Sequence, residues 1–101
     1  MQLRYVIRGS SMEPTLQAGD RVLCLPWWLY RVGHIVVARF EHGVSVKRIE
    51  RMSGRGFWLV GDNRSRSTDS RELGWIPRSQ LCGRVIYRYA PPDRERWLFS
   101  A

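Results

Sequence analysis

Apolar residues recur at alternate positions or in short β-branched runs, and no window sustains a 3.6-residue period. This pattern predicts six short strands. Residues 3–7 are apolar-rich, and residues 20–25 follow a Gly-Asp turn. Residues 34–40 are β-branched and stop at Glu41-His42-Gly43, a hairpin sequence, after which 44–50 alternate. Ser53-Gly54-Arg55-Gly56 turns the chain into 57–60, which end at Gly61-Asp62-Asn63. Residues 83–89 make the last strand, stopped by Pro91-Pro92. Short strands at this spacing predict a mainly β fold, a small antiparallel β-barrel or coiled sheet with little helix. One domain spans residues 1–101, with residues 91–101 expected as a loosely attached tail.

Two predicted loops are unusual. Residues 9–16, Gly-Ser-Ser-Met-Glu-Pro-Thr-Leu, are small and polar around an apolar Met. Residues 61–74 make a long connection for so small a domain, and such loops often carry function. Between the second and third strands, Pro26-Trp27-Trp28-Leu29-Tyr30 concentrates aromatics. It reads equally as a plug over one end of the core and as an outward lip, docking substrate or touching a membrane interface through Trp27 and Trp28.

Charge narrows the partners. The formal net charge is +8, from 17 basic and 9 acidic residues. A basic barrel with aromatics is also a frame for nucleic acid, but the arginines are spread along the chain with no basic run, so no nucleic-acid partner is expected. The apolar stretch 22–30 is broken by Pro26 and is far shorter than the ~20 residues of a membrane span. The first nine residues lack an apolar run of signal-peptide length, so a soluble, cytoplasmic protein is expected. Cys24 and Cys82 are too few for a disulfide framework and are expected as thiols. With His34 and His42 they show no metal-ligand spacing, so neither metal nor cofactor is expected.

Candidate chemistry starts from a count. Lys47 is the only lysine, so sixteen of the seventeen basic residues are arginine. Burial can neutralise a lysine but not an arginine, and a neutral amine can act as a base toward a serine hydroxyl. Composition alone favours Lys47 as one more surface cation, since a charge in an alternating strand normally faces solvent. Ser10 and Ser11 lie in a glycine-flanked turn, where Gly9 lets backbone approach a substrate closely. A plain serine-rich turn would look the same.

The combination is more specific. Gly-Ser-Ser-Met-Glu-Pro-Thr-Leu at 9–16, Gly19-Asp20-Arg21-Val22, Val46-Lys47-Arg48-Ile49 and Gly61-Asp62-Asn63 precede Ser67-Thr68-Asp69-Ser70-Arg71 in that order. The order resembles the bacterial type I signal peptidases, which are Ser-Lys proteases, from about residue 6 to residue 88. The resemblance implies Ser11 as nucleophile, Lys47 with its neighbour Arg48 as the general-base segment, and Ser67 as the hydroxyl orienting the lysine. It implies Asp69 and Arg71 as an ion pair holding the second loop, and Met12 as packing beneath the nucleophile. The Ser11 N–H would supply one oxyanion donor. Some signal peptidases carry a second donor serine two residues before the nucleophile; that position is Gly9 here. Ser10 is out of register, and His34, where a Gly-Asp is common, reads as a turn residue.

Ser11 and Lys47 are only 36 positions apart, which excludes the large inserted domain of many signal peptidases. Compactness, an expected lack of anchor, and the Ser-Thr-Asp-Ser-Arg and Gly-Arg-Val…Arg-Tyr segments make the chain similar to the nickel-type superoxide dismutase maturation proteases. That likeness implies removal of a precursor's leader, with the precursor polypeptide as partner. The alternatives are an anchorless signal peptidase acting on exported precursors and, in another class, a basic nucleic-acid-binding barrel. A self-cleaving repressor would want a DNA-binding domain and a cleavage segment, which the eight residues before Gly9 do not supply.

Overall fold

The computed structural model describes residues 2–66 and 68–99. The strands are β1 (Arg4–Val6), β2 (Arg21–Leu25), β3 (Ile35–Phe40), β4 (Gly43–Ser53), β5 (Gly56–Val60), β6 (Leu81–Ala90) and β7 (Arg96–Trp97). They form one antiparallel sheet in the order β1-β2-β6-β3-β4-β5, with β7 added on β6. One short helix, α1 (Ser70–Leu73), and three single 3-10 turns complete the described residues. None of these helices is long and apolar enough to cross a membrane.

The sheet is buried on both sides at its centre. Ile35 and Val37 point into one apolar cluster with Ile7, Met12, Leu16, Val22 and Val85. Val36 and Ala38, one residue out of step, point into a second cluster with Tyr30, Ile49, Phe57, Leu59 and Ile76. Successive side chains of a strand face opposite ways, so a strand flanked by two cores must be apolar throughout. That is why β3 reads as a continuous β-branched run. Gly83 lets β6 cross close beneath β2: a Cβ there would fall 2.4 Å from the Leu25 carbonyl oxygen. Both cysteines are free thiols, and burial pushes the Cys24 thiol up to about 12.

The strands depart from the sequence pattern at their ends. β4 continues to Ser53 because residues 51–53 pair with 56–58 across the Ser53–Gly56 turn, although Arg51, Met52 and Ser53 are all exposed. The Pro26–Tyr30 stretch splits in function: Tyr30 is buried against Phe57, while Trp28 is largely exposed. The expected loose tail is a correction. Residues 91–99 are docked: Leu98 is buried in the first cluster and its N–H donates to the Ile86 carbonyl. Arg94 donates to both oxygens of the buried Asp20 carboxylate, at 3.0 and 2.9 Å, and Arg88 stands 3.7 Å away. Burial would raise the Asp20 pKa, but hydrogen bonds from Arg94 and the Gln17 N–H, with both arginine charges, bring it below the usual carboxylate range. A buried carboxylate just before β2 thus captures the segment that follows β6. Composition did not reveal this, because Arg94 sits in a Pro-Pro-Asp-Arg-Glu-Arg stretch that reads as solvated.

Leu98→Ala should therefore cost about 2–5 kcal/mol, as for a buried leucine elsewhere in a core, rather than the near-zero cost of a change in a free tail. Urea unfolding of the two proteins at one pH measures the difference.

Candidate active site

The turn at 9–16 carries its serines out of the sheet between β1 and β2. Gly9 starts it with φ +71°, a left-handed conformation that side chains rarely adopt, although a Cβ there would meet no atom. Glycine is thus needed for the backbone and not for space. Met12 and Leu16 then drop into the first core, and the Leu16 N–H closes a turn on the Met12 carbonyl. These two anchors leave Ser11 half-buried at the surface.

Lys47, on β4, is 4% exposed, and its Nζ donates to Ser11 Oγ at 3.2 Å. The strand's alternation did not indicate this burial: a polar position of an alternating strand normally faces water. Burial lowers the Lys47 pKa below its ordinary value, and the nearby Asp69 carboxylate works against that shift. A hydroxyl beside an amine held toward its neutral form is a proton-transfer pair.

The neighbouring residues fix this pair by hydrogen bonds. Arg48 makes a two-point contact with Asp62, Nε to Oδ1 and Nη2 to Oδ2, each 2.8 Å, and its Nη1 donates to the Gly33 carbonyl. Asp62 Oδ2 also accepts from Thr15 Oγ1 at 2.6 Å. Burial would raise the Asp62 pKa, but the hydrogen bonds from Arg48 and Thr15 lower it overall, so it stays ionised at neutral pH. Asn63 donates its N–H to the Ser11 carbonyl at 2.9 Å and its Nδ2 to the Ser10 carbonyl at 3.1 Å. The second loop therefore grips the first along Ser10, Ser11 and Thr15. Asp62, Asn63 and Thr15 belong to the sequence motifs, but the motifs alone do not indicate these contacts. The signal available was a Gly-Asp-Asn turn, whose polar side chains cap nearby backbone.

Asp69 is fully buried and serves as the N-cap of α1. Its Oδ2 accepts from the Gly61 N–H, and its carboxylate pairs with Arg71 at 3.0 Å. Arg71 reaches on to the Arg64 carbonyl, tying the loop to itself. Ser67 lies outside the described residues. Ser70 is buried and accepts from the Leu59 N–H, a bond that seats α1 on β5. His34 Nδ1 accepts from the Arg31 N–H in a turn, away from Ser11.

A cleft of about 420 Å³ opens beside Ser11, lined by β1, the first loop and the start of β4. Leu3 and Ile7 bond toward β2, so by alternation the backbone groups of Arg4, Val6 and Arg8 face the opposite edge. β5 pairs with β4 only from Arg48 onward, leaving the second edge of 43–47 open among the described residues. The cleft thus lies between two unpaired strand edges. Arg4 and Arg8 line it, and none of the described carboxylates does.

A mostly β domain with a serine–lysine pair at the end of an open-edged cleft has the parts of a serine peptidase. The chain matches the Peptidase S24-like family over residues 4–86 and belongs to that family. Among its relatives, mitochondrial inner membrane protease subunit 1 of Xenopus tropicalis is 30% identical, over 85% of this chain and 68% of the relative. The human counterpart is 32% identical over 82% and 66%. Probable signal peptidase I-2 of Synechocystis is 29% identical over 92% and 65%. The chain thus spans about two thirds of the length of these relatives.

The buried lysine has a thermodynamic signature. Its pKa is lowered in the folded state, so the unfolded chain binds more protons and folding is penalised below the ordinary lysine pKa. Lys47→Met should raise the melting temperature at neutral pH. The gain should shrink as pH approaches the ordinary lysine value of 10.5, where the folded wild type is neutral at no cost. Thermal unfolding of both proteins across the alkaline range checks the slope.

Proposed function

We propose that the chain is a Ser-Lys endopeptidase that removes the N-terminal leader of a precursor protein, with Ser11 as nucleophile and Lys47 as general base. The observation that carries this reading is the 3.2 Å approach of a buried lysine amine to the Ser11 hydroxyl. Lys47 takes the hydroxyl proton as Ser11 Oγ attacks the scissile carbonyl carbon. The Ser11 N–H, which donates to no described residue, stabilises the oxygen that becomes negative. The lysine ammonium then passes its proton to the leaving amine, and an acyl-enzyme ester remains. Water, deprotonated by the same amine, hydrolyses the ester and restores the pair. Arg48, Asp69, Arg71 and Met12 position these groups, and Ser67 is assigned to orient the amine on the resemblance alone.

The substrate enters as an extended strand. Backbone groups of Val6 and Arg8 on one side and of residues 44 and 46 on the other offer it hydrogen bonds, as in strand addition to a sheet edge. This delivers a scissile bond to Ser11 with little dependence on side chains, which suits cleavage within an unfolded leader.

Ser11→Ala, Lys47→Ala and Lys47→Arg should each reduce turnover at least ~10³-fold while circular dichroism stays native, since a guanidinium cannot become a neutral base. Ser10→Ala should stay near wild type. Cleavage by the wild type should rise with pH through one deprotonation below the ordinary lysine value. Activity surviving in Ser11→Ala but lost in Ser10→Ala would move the nucleophile by one residue.

For the substrate, we assign a nickel-type superoxide dismutase precursor. The support is the compact spacing and the loop and last-strand segments noted above. A metal site that uses the newly freed amine tolerates no error in the cut, so one defined bond should be cleaved. The names of the relatives favour the second reading, a signal peptidase acting on exported precursors. Mass spectrometry of purified enzyme with each precursor, without detergent, separates them. The first reading expects a single cut in the dismutase precursor and none in the exported one; the reverse outcome establishes the second.

A further inference from the structure

Arg84 is a buried cation without an acceptor among the described residues. It stands on β6 opposite Leu25 and Val36 and is 8% exposed. Its Nε is buried with no hydrogen-bond partner, and none of the described carboxylates pairs with its guanidinium. Its neighbours are rings. The guanidinium carbon lies 4.9 Å from the Trp27 centroid and 5.0 Å from that of Phe99. Ring faces attract the charge but supply no lone pair to the N–H groups, so hydrogen-bonding capacity for an anion is left over.

The rings continue outward on both sides. Trp27 stacks on Trp28 at 4.9 Å, and Phe99 stacks on Trp97, which lies 4.5 Å from Tyr87. Trp28, Trp97 and Phe99 are 73%, 59% and 53% exposed, a large apolar area for a soluble surface. More positive charge surrounds it: Arg78 donates to the Trp28 carbonyl, and Arg31 lies near enough to act with Arg84 on His34. Glu95 sits at the margin, accepting from Tyr87 Oη. None of these residues lines the cleft at Ser11.

We infer that this face docks on an anionic lipid surface, with a headgroup phosphate accepting from Arg84 and the outer rings seated at headgroup level. A small free anion would account for Arg84 but not for the exposed rings. A base-stacking platform would account for the rings, but these are already stacked on one another in pairs. Tryptophan beside arginine is the composition that the interface between water and lipid favours, and the +8 charge strengthens the attraction.

The test is flotation of the purified protein with vesicles of phosphatidylcholine alone or with about one third phosphatidylglycerol. Wild type should float with the second and remain behind with the first, less so at high salt. Arg84→Met, which keeps the packed stem, should weaken binding to the anionic vesicles roughly fivefold, the worth of one arginine near such a surface. If that variant fails to fold, the exposed pair Trp28→Ser and Phe99→Ser carries the test and should abolish flotation. Equal flotation on both vesicles, no flotation, or unchanged binding by the serine variant overturns the inference. So does release of the protein by millimolar inorganic phosphate or by a single-stranded oligonucleotide, which would assign the face to a small anion or to nucleic acid.

Discussion

One carboxylate holds the cleft together. Asp62 takes two hydrogen bonds from Arg48 on β4 and one from Thr15 in the serine turn, so a single side chain joins three segments distant in sequence. Arg48 follows Lys47 directly, and Thr15 lies four residues beyond Ser11; a shift of Asp62 would therefore move the amine and the hydroxyl relative to one another. Its ionisation is protected by the donors it binds, and its half-buried setting keeps these charge-assisted bonds strong. The Ser11–Lys47 pair is thus only as well ordered as this bridge.

The sheet supplies the other half of that order. β3 is packed on both faces, which fixes its register against β4 and so the position from which Lys47 projects. A slip of one residue would carry Ile35 and Val37 into the wrong cluster and turn Lys47 away. The end of the chain contributes at a distance: Arg94 and Arg88 meet at Asp20, at the close of the turn that bears Ser11.

The strands were legible because their cues are local. β-branched runs and glycine turns mark β3, β4 and β5 directly, and the strand count needed only one addition, β7. Lys47's burial was not legible from periodicity, since alternation states which face a residue occupies but not whether a loop covers it. It was the motif around the lysine, not its pattern, that singled it out. The docking of residues 91–99 escaped for a related reason: Leu98 and Arg94 act through partners more than seventy positions back or across the sheet, and nothing in their own neighbourhood announces them. The grip of Asn63 on Ser10 and Ser11 is likewise a contact between two turns, each of which reads as complete alone.

The unpaired edge of β1 has a further consequence, for the protein's behaviour in a crowded solution. A strand with free N–H and C=O groups is a template for any other strand, including the same strand of a second molecule. Two copies meeting antiparallel at Val6 would bring their Arg4 and Arg8 side chains together, four like charges along a short ribbon with no carboxylate nearby to offset them. The open edge is thereby closed to its own kind, by charges that cost the fold little because they stand in water.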